Sequence, residues 1–382
     1  MVETGKLRVA MIIQTYLPRL GGAEKQLAGV CRRLRERDIE PVIITRRYPG
    51  LSAFEIIDQT PVYRVPAPQP KALAALCFIV FGLGRIRQID ADILHAHELL
   101  SPGDLGILAK KLWKKPLVVK VLRGGKLGDL DKLHNRQGGG LRIRRLKANV
   151  DRFIVISREI ERELEYEGIP RHRCRYLPNG VDVGLYAPVN EMEKTRLRGE
   201  LKLPEGFLCV SSGRLAPEKG LDVLLQAWKG IADQDPGAHL LILGSGEMEN
   251  KLREQAGKQV IFGGYAAETL PYYRAADAFV LPSMTEGLSN AMLEAMSCGL
   301  ATTATRVGAA ADLIDSGKNG FLIPPGSAEE IQKAILFLIE HAAERGRMGA
   351  AARERICRDY ALDGTADKLA ALYRELAGKG VS

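Results

Sequence analysis

A-F-V-L-P-S-M-T-E-G-L-S-N-A-M-L-E-A-M-S-C-G-L-A-T-T, residues 278–303, decides the fold. Ala278–Leu281 is a short apolar run that reads as a strand. Ser289–Ser297 has helical character, and Leu300–Thr303 is β-rich again. A strand, a helix and a second strand in so short a span form the repeating unit of a parallel sheet with crossover helices. The same alternation extends upstream through strand Phe207–Ser212, helix Gly220–Asp233, strand His239–Leu243, helix Met248–Ala256, strand Val260–Phe262 and helix Glu268–Ala275. Downstream, strand Phe321–Ile323 is followed by helical segments from Ala328 onward. The first half repeats the pattern. Strands are expected at Leu7–Gln14, Val42–Thr45, Val62–Val65, Ile93–His97, Leu117–Leu122 and Phe153–Ile156, with a helix at Ala23–Arg37. The fold class is therefore α/β, with two consecutive doubly wound parallel-sheet domains. The expected boundaries are 1–183 for the first domain, 184–206 for a polar linker, 207–356 for the second domain and 357–382 for a C-terminal helix.

A chain of 382 residues suits two domains of ordinary size. No apolar run approaches the ~20 residues a membrane span needs. The nearest, 72–84, is short and flanked by Lys71 and Arg85, which suits a buried or interfacial helix. The start of the chain enters a strand-like run without the apolar region of a signal peptide. The six cysteines are scattered with no C-x-x-C pair, so neither a zinc site nor a disulfide framework is expected, and a reducing cytosol is. Up to Asp182 there are 33 Lys and Arg against 20 Asp and Glu, and beyond it 22 against 26, so the net charge of +9 is carried by the first half. Clusters such as Lys110, Lys111, Lys114 and Lys115 suit an anionic lipid surface, a polyphosphate or simply a solvated face. No aromatic-interleaved stripe accompanies them, and nucleic acid is not expected as a partner.

Within 278–303, Glu286 and Glu294 are eight residues apart. Gly287 puts Glu286 in the loop before the helix and Glu294 inside it. The pair can hold two parts of an extended ligand, with a phosphate on the helix N-terminus between them. On this segment alone, a solvated helix with scattered acids accounts for the pair more simply. Strand Phe207–Ser212 ends in S-G-R-L-A-P-E-K-G, where Arg214 and Lys219 flank a turn containing Pro217. Arg forks onto phosphate oxygens and Lys adds a compact charge, a combination suited to a pyrophosphate. Gly244-Ser245-Gly246 lacks the third glycine of a dinucleotide loop, since Glu249 stands there, which argues against a nicotinamide site. His95 and His97 share one face of their strand. Either they are satisfied core histidines, or His97, last in the strand, lines a ligand site. No third metal ligand accompanies them. Gly21-Gly22 precedes a helix, and Arg123-Gly124-Gly125-Lys126 follows a strand. The span Gly124–Gly140 reads as a loop, either acceptor-binding or merely mobile.

These motifs together resemble the retaining family 4 glycosyltransferases of the GT-B fold, and the likeness runs over nearly the whole chain. E-G-L-S-N-A-M-L-E-A-M-S-C-G at 286–299 is similar to the family's paired-glutamate signature, and 212–220 to its phosphate-binding segment. P-N-G-V-D at 178–182, H-A-H at 95–97 and G-G-A-E at 21–24 complete an ordered set. The resemblance implies two domains facing across a cleft, the first binding an acceptor and the second a nucleotide-sugar donor, with the terminal helix packing back on the first. It implies that Arg214 and Lys219 hold the donor diphosphate, Glu294 the ribose and Glu286 the reacting sugar. Gly287, Leu288, Ser289, Asn290 and Ala291 would present backbone to phosphate and sugar. Gly264 and Tyr265 would meet the base, His97 the sugar and Gly21 with Gly22 the diphosphate. Many members carry a histidine where this chain has Leu122-Arg123-Gly124-Gly125, so Arg123 and Lys126 are the acceptor-side candidates.

The expected activity is hexosyl transfer from a nucleotide-diphosphate donor, with UDP-hexose the family prior, to an acceptor hydroxyl in polysaccharide, lipopolysaccharide or glycolipid synthesis. No cofactor and no metal are expected, because cationic side chains and a helix dipole carry the charge work. The expected partners are the donor, a glycan or lipid-linked acceptor, and an anionic membrane touched by the basic first domain. The expected location is cytoplasmic, peripheral on the inner face of the plasma membrane. A sugar-nucleotide epimerase, a phosphorylase or a non-catalytic sugar-nucleotide-binding protein on the same fold are the alternatives.

Overall fold

Strands β1 (Leu7–Ile12), β2 (Ile39–Arg47), β3 (Phe54–Ile57), β4 (Thr60–Pro66), β5 (Ile93–His97), β6 (Leu117–Val121), β7 (Arg152–Val155) and β8 (Cys174–Tyr176) form one sheet in the order β3-β4-β2-β1-β5-β6-β7-β8. All neighbours run parallel except β3 and β4, which form an antiparallel pair. Strands β9 (Leu208–Ser212), β10 (His239–Leu243), β11 (Val260–Gly264), β12 (Ala278–Leu281), β13 (Ala301–Thr305) and β14 (Gly320–Ile323) form a second, wholly parallel sheet in the order β11-β10-β9-β12-β13-β14. This computed structural model describes residues 6–19, 21–126 and 128–378. The first five residues, the last four and Leu127 within the expected 124–140 loop lie outside the described residues. The chain divides into two compact units, one reaching to Asn179 and resuming at Leu362, the other spanning Gly180–Ala361.

Several central strands are buried from end to end, as sheets covered by helices on both faces require. β5, β6, β9 and β13 have no exposed residue. In the first unit Val9, Met11, Ile43 and Val118 share a core with Leu27, Val30 and Leu34 of the helix Gly22–Arg35. Leu369, Ala370 and Tyr373 of the helix Leu362–Leu376 enter the same core, so the terminal helix belongs to the first unit. In the second unit the fully buried Trp228 sits among Leu224, Ile231, Leu240, Ile242 and Ile335.

Three expectations are corrected. The short strands β3 and β8 had not been anticipated. The 124–140 span read as a loop contains the helix Asp129–His134 and the start of the helix Gly139–Asn149. The span 184–206 read as a linker holds the helix Glu191–Glu200, capped by Asn190 Oδ1, which accepts from Glu193 N at 2.9 Å. That helix has little apolar surface and is fastened by charge. Asp277 accepts from Lys194 Nζ at 2.6 Å, Arg198 Nη2 at 2.6 Å and Leu208 N at 2.7 Å. Burial pushes the Asp277 carboxyl up, but Lys194, the Leu208 amide and Arg198 outweigh it and hold it below its ordinary value.

The helix Lys71–Ile89 is long and apolar enough, by length and composition, to cross a membrane. Its stripe Ala74, Phe78, Gly82, Ile86 and Ile89 is nevertheless buried, and Gly82 lies against Leu105 of the helix Ser101–Trp113. It is therefore part of the folded unit. Its opposite stripe, Leu73, Leu76, Val80 and Phe81, is exposed.

Candidate active site

In doubly wound sheets ligands gather outside the carboxyl ends of the strands, where the strand order reverses. In the second unit that point lies between β9 and β12, because the chain builds outward from β9 through β10 and β11, then returns to place β12 on the other side. Of the residues selected from the sequence, Arg214, Lys219 and Glu286 lie there. β9 ends at Ser212, and Gly213 and Arg214 leave the sheet. A short turn, Pro217–Lys219, follows and ends at Gly220. Gly220 has φ +62°, and a Cβ there would lie 2.2 Å from the carbonyl oxygen of Pro282, so only glycine lets this turn press onto the β12 loop. Met284 N donates to Glu218 O at 2.8 Å and fastens the two loops.

This docking sets Lys219 against Glu286: Nζ donates to Oε2, and both side chains are largely buried. Ser283 Oγ donates to the same oxygen at 3.4 Å. A recess between the strand ends is lined by Ser212, Gly213, Arg214, Lys219, Pro282 and Ser283. Arg214 is 62% exposed and forks back to Glu218 Oε1 at 2.5 Å, so it stands at the rim and is not joined to the glutamate pair. Glu286 lies in the loop and Glu294 inside the helix Asn290–Ser297, as their spacing predicts. Ser289 caps that helix, its Oγ accepting from Met292 N at 3.3 Å, and Gly287, Leu288, Asn290 and Ala291 flank the cap. Glu294 is buried and accepts from Thr269 Oγ1 at 3.1 Å. Tyr273 ties the same corner to β9 through a 2.6 Å hydrogen bond with Ser212. Burial and the Glu294 charge push its phenol far up, so it stays protonated. Gly264 closes β11 with φ +67°, and Tyr265 follows it half-exposed at the sheet edge.

In the first unit the order reverses between β1 and β5. Gly21 starts the helix Gly22–Arg35 beyond β1, and Thr15 Oγ1 donates to Glu24 in that helix's first turn. His97 is the last residue of β5, stacked on His95 at 4.1 Å, and burial keeps both imidazoles neutral. Glu98 follows at φ 128°, accepting from Gln14 Nε2 at 2.8 Å. Burial, with Asp129 and Glu24 adding to it, pushes the Glu98 carboxyl up to about 7. Arg123 and Lys126 belong to a pinned turn: Asp129 N donates to Arg123 O at 2.9 Å and Gly125 N to Glu163 Oε1 at 2.6 Å. Among the described residues no cluster of His, Cys, Asp and Glu has metal-binding geometry. Sequence reasoning missed Thr269, Tyr273, Ser283 and Glu98, which sit in ordinary loops and helix starts without a spacing signal.

Known proteins share this architecture. Residues 20–185 match the family described as Glycosyltransferase Family 4, and residues 206–341 match Glycosyl transferases group 1. A D-inositol 3-phosphate glycosyltransferase of Corynebacterium glutamicum is 29% identical over 80% of this chain and 77% of its own length. The chain is a glycosyltransferase of the GT-B fold. A GDP-mannose-dependent phosphatidylinositol monomannoside mannosyltransferase of Mycobacterium tuberculosis is 27% identical over 96% of this glycosyltransferase and 98% of its own length. The solved sucrose-phosphate synthase of Thermosynechococcus elongatus superposes with a TM-score of 0.83 at 22% identity, covering 97% of this chain and 99% of that one. Anabaena HepE in complex with UDP-glucose gives 0.82 at 20% identity, covering 97% and 100%. The enzyme is thus a hexosyltransferase, and the epimerase and non-catalytic alternatives fall away.

Proposed function

We propose that this glycosyltransferase moves a hexose from a nucleoside diphosphate to an acceptor hydroxyl with retention at the anomeric carbon. The observation that carries the reading is the Lys219–Glu286 pair at the reversal point of the second sheet, with Arg214 at its rim. Lys219 and Arg214 neutralise the diphosphate as its charge grows in the transition state. The amides at the start of the helix Asn290–Ser297 take the phosphate oxygens, since first-turn N–H groups lack intrahelical acceptors. Glu286 holds the sugar hydroxyls, and Glu294 the ribose. As the bond to phosphate breaks, the sugar becomes oxocarbenium-like. The acceptor hydroxyl attacks from the face the diphosphate leaves, and its proton passes to the departing phosphate. No metal is assigned a role. UDP-hexose is the proposed donor, in line with the UDP-glucose bound to HepE, and GDP-mannose is the competing candidate from the mannosyltransferase relative. A polyol phosphate or lipid-linked acceptor follows the relatives' names.

A thermal-shift panel of UDP- and GDP-hexoses should single out one donor, because a ligand that binds only the folded state raises apparent stability. Proton NMR of the product formed from that donor should show an axial linkage from an axial donor. An equatorial product would sink the retaining mechanism.

The proposed location is the cytoplasmic face of a membrane, contacted peripherally. Leu73, Leu76, Val80 and Phe81 are exposed on one helix, and Leu108 and Leu112 on the helix packed beside it. Lys71, Arg87, Lys111 and Lys114 stand exposed on the same pair of helices and the turn after them. Apolar side chains beside basic ones match an anionic bilayer surface, which supplies both a hydrocarbon boundary and negative charge. Co-sedimentation with phosphatidylglycerol vesicles should fall as salt rises. Leu76→Ser with Phe81→Ser should weaken it by about tenfold or more, since each buried apolar side chain contributes about 1.5–3 kcal/mol. Equal binding by the double variant, or no salt response, would overturn the contact.

A further inference from the structure

β6 reads L-V-V-K-V, one lysine in an otherwise apolar strand that is buried throughout. Lys120 pairs in register with His97 on β5, and its side chain follows Val118 onto the face that carries the first unit's core. It is 7% exposed. Among the described residues its one hydrogen-bond partner is Asn179 Oδ1 at 2.8 Å, and no carboxylate pairs with it. An ammonium has three donors and desolvating one costs several kcal/mol unless an opposite charge is present. Support for Asn179 alone does not explain the charge, because a neutral donor would serve at far lower desolvation cost. Next to it, the neutral His97 imidazole is buried with Nε2 unpartnered. His95 behind it is fixed by Tyr373 OH at 2.6 Å from Nδ1, which leaves the stacked His97 ring little freedom to turn.

We propose that Lys120 and His97 form an oxyanion-binding site at the carboxyl ends of β5 and β6, which takes a phosphate or carboxylate group of a substrate. The site supplies two free ammonium donors and one imidazole nitrogen, enough for two or three oxygens of one group. The inference rests on the reading of the first unit as substrate-binding, but its test uses binding and no turnover. Failure of the site and failure of the transferase reading are therefore separate results.

Inorganic phosphate is titrated, at constant ionic strength, into the full chain carrying Arg214→Ala and Lys219→Ala, so that the second unit's cations do not contribute. A saturable rise in apparent Tm is expected at pH 7. It should disappear when Lys120→Met is added. An equal rise in that triple variant, or none in the double variant, overturns the site. Should the triple variant fail to fold, the pH dependence of the double variant decides. Burial lowers the Lys120 ammonium to about 8, His95 and His97 stay neutral, and burial keeps Tyr373 protonated. Glu98, next to His97 and pushed up to about 7, completes its ionisation by about pH 8, so a loss between pH 8 and 9.5 follows Lys120. The phosphate effect should be present at pH 7 and largely lost at pH 9.5, where exposed lysines remain mostly charged. Persistence at pH 9.5 also overturns the site. UDP binding to Lys120→Met alone identifies the source of the oxyanion. Unchanged affinity assigns it to the acceptor, and a loss of tenfold or more assigns it to the donor diphosphate.

Discussion

Lys219→Ala is expected to lower kcat/KM by about a thousandfold, near the upper end of what removal of one preorganised transition-state donor costs. Two effects combine. The ammonium that neutralises the departing diphosphate is gone, and Glu286, which accepts from Lys219 and more weakly from Ser283, is left as a poorly compensated carboxylate behind the recess that those two residues line. Glu286→Ala removes that carboxylate and also the contact to the reacting sugar, and its loss of turnover should be at least as large. Because the two groups act as a unit, the double variant should lose far less than the product of the single losses. Initial rates with the preferred donor, and UDP thermal shifts for each variant, measure both quantities. Full activity in both single variants would remove the pair from the reaction. Arg214→Ala should be milder, because its side chain is mostly exposed and already held by Glu218.

Much of the architecture was legible because parallel strands buried on both faces read as short apolar runs. Ile93–His97, His239–Leu243 and Ala278–Leu281 form strands over the expected residues. What escaped was held by other forces. β3, F-E-I-I, is an edge strand of four residues with alternating exposure, and β8 has only three residues. The helix Glu191–Glu200 buries little but Leu197, and its attachment through Asp277 is electrostatic, so hydrophobic periodicity could not announce it. The glycines at 124, 125, 128 and 138–140 concealed two helices because a glycine-rich run reads as loop, while Asp129 and Glu163, accepting from Leu122 N and Gly125 N, tighten the turn before the first of them. In the site, charge and spacing exposed Arg214, Lys219, Glu286 and Glu294. The residues that orient them, Ser283 and Thr269, are single hydroxyls whose role exists only in three dimensions. Lys120 did carry a signal, a charge inside an apolar strand, which composition counts absorbed into the basic first half.

Gly308→Ala is expected to cut kcat by about a hundredfold while the protein remains folded. Gly308 lies well outside the 286–299 motif yet sits directly behind it. Its φ is +55°, and a Cβ there would stand 2.3 Å from the carbonyl oxygen of Gly287 and 2.5 Å from that of Glu286. These are backbone atoms with no rotamer to escape into. The loops are further tied by Ala309 N, which donates to Gly287 O at 2.8 Å. A methyl group must therefore push the Glu286–Gly287 peptide away by a sizeable fraction of an ångström or more, and a displacement near 1 Å at a reacting centre costs about a hundredfold. The left-handed backbone adds strain of about 1–2 kcal/mol. Gly317→Ala separates the two causes: Gly317 has φ +84° but nothing within 4 Å of its would-be Cβ. It should lower Tm by a comparable strain and leave kcat unchanged. If Gly308→Ala lost activity only in proportion to its stability, as Gly317→Ala would, the placement of Glu286 would not depend on the loop behind it. A kcat loss in Gly308→Ala far beyond its change in Tm shows that this remote glycine sets the position of the sugar-binding carboxylate.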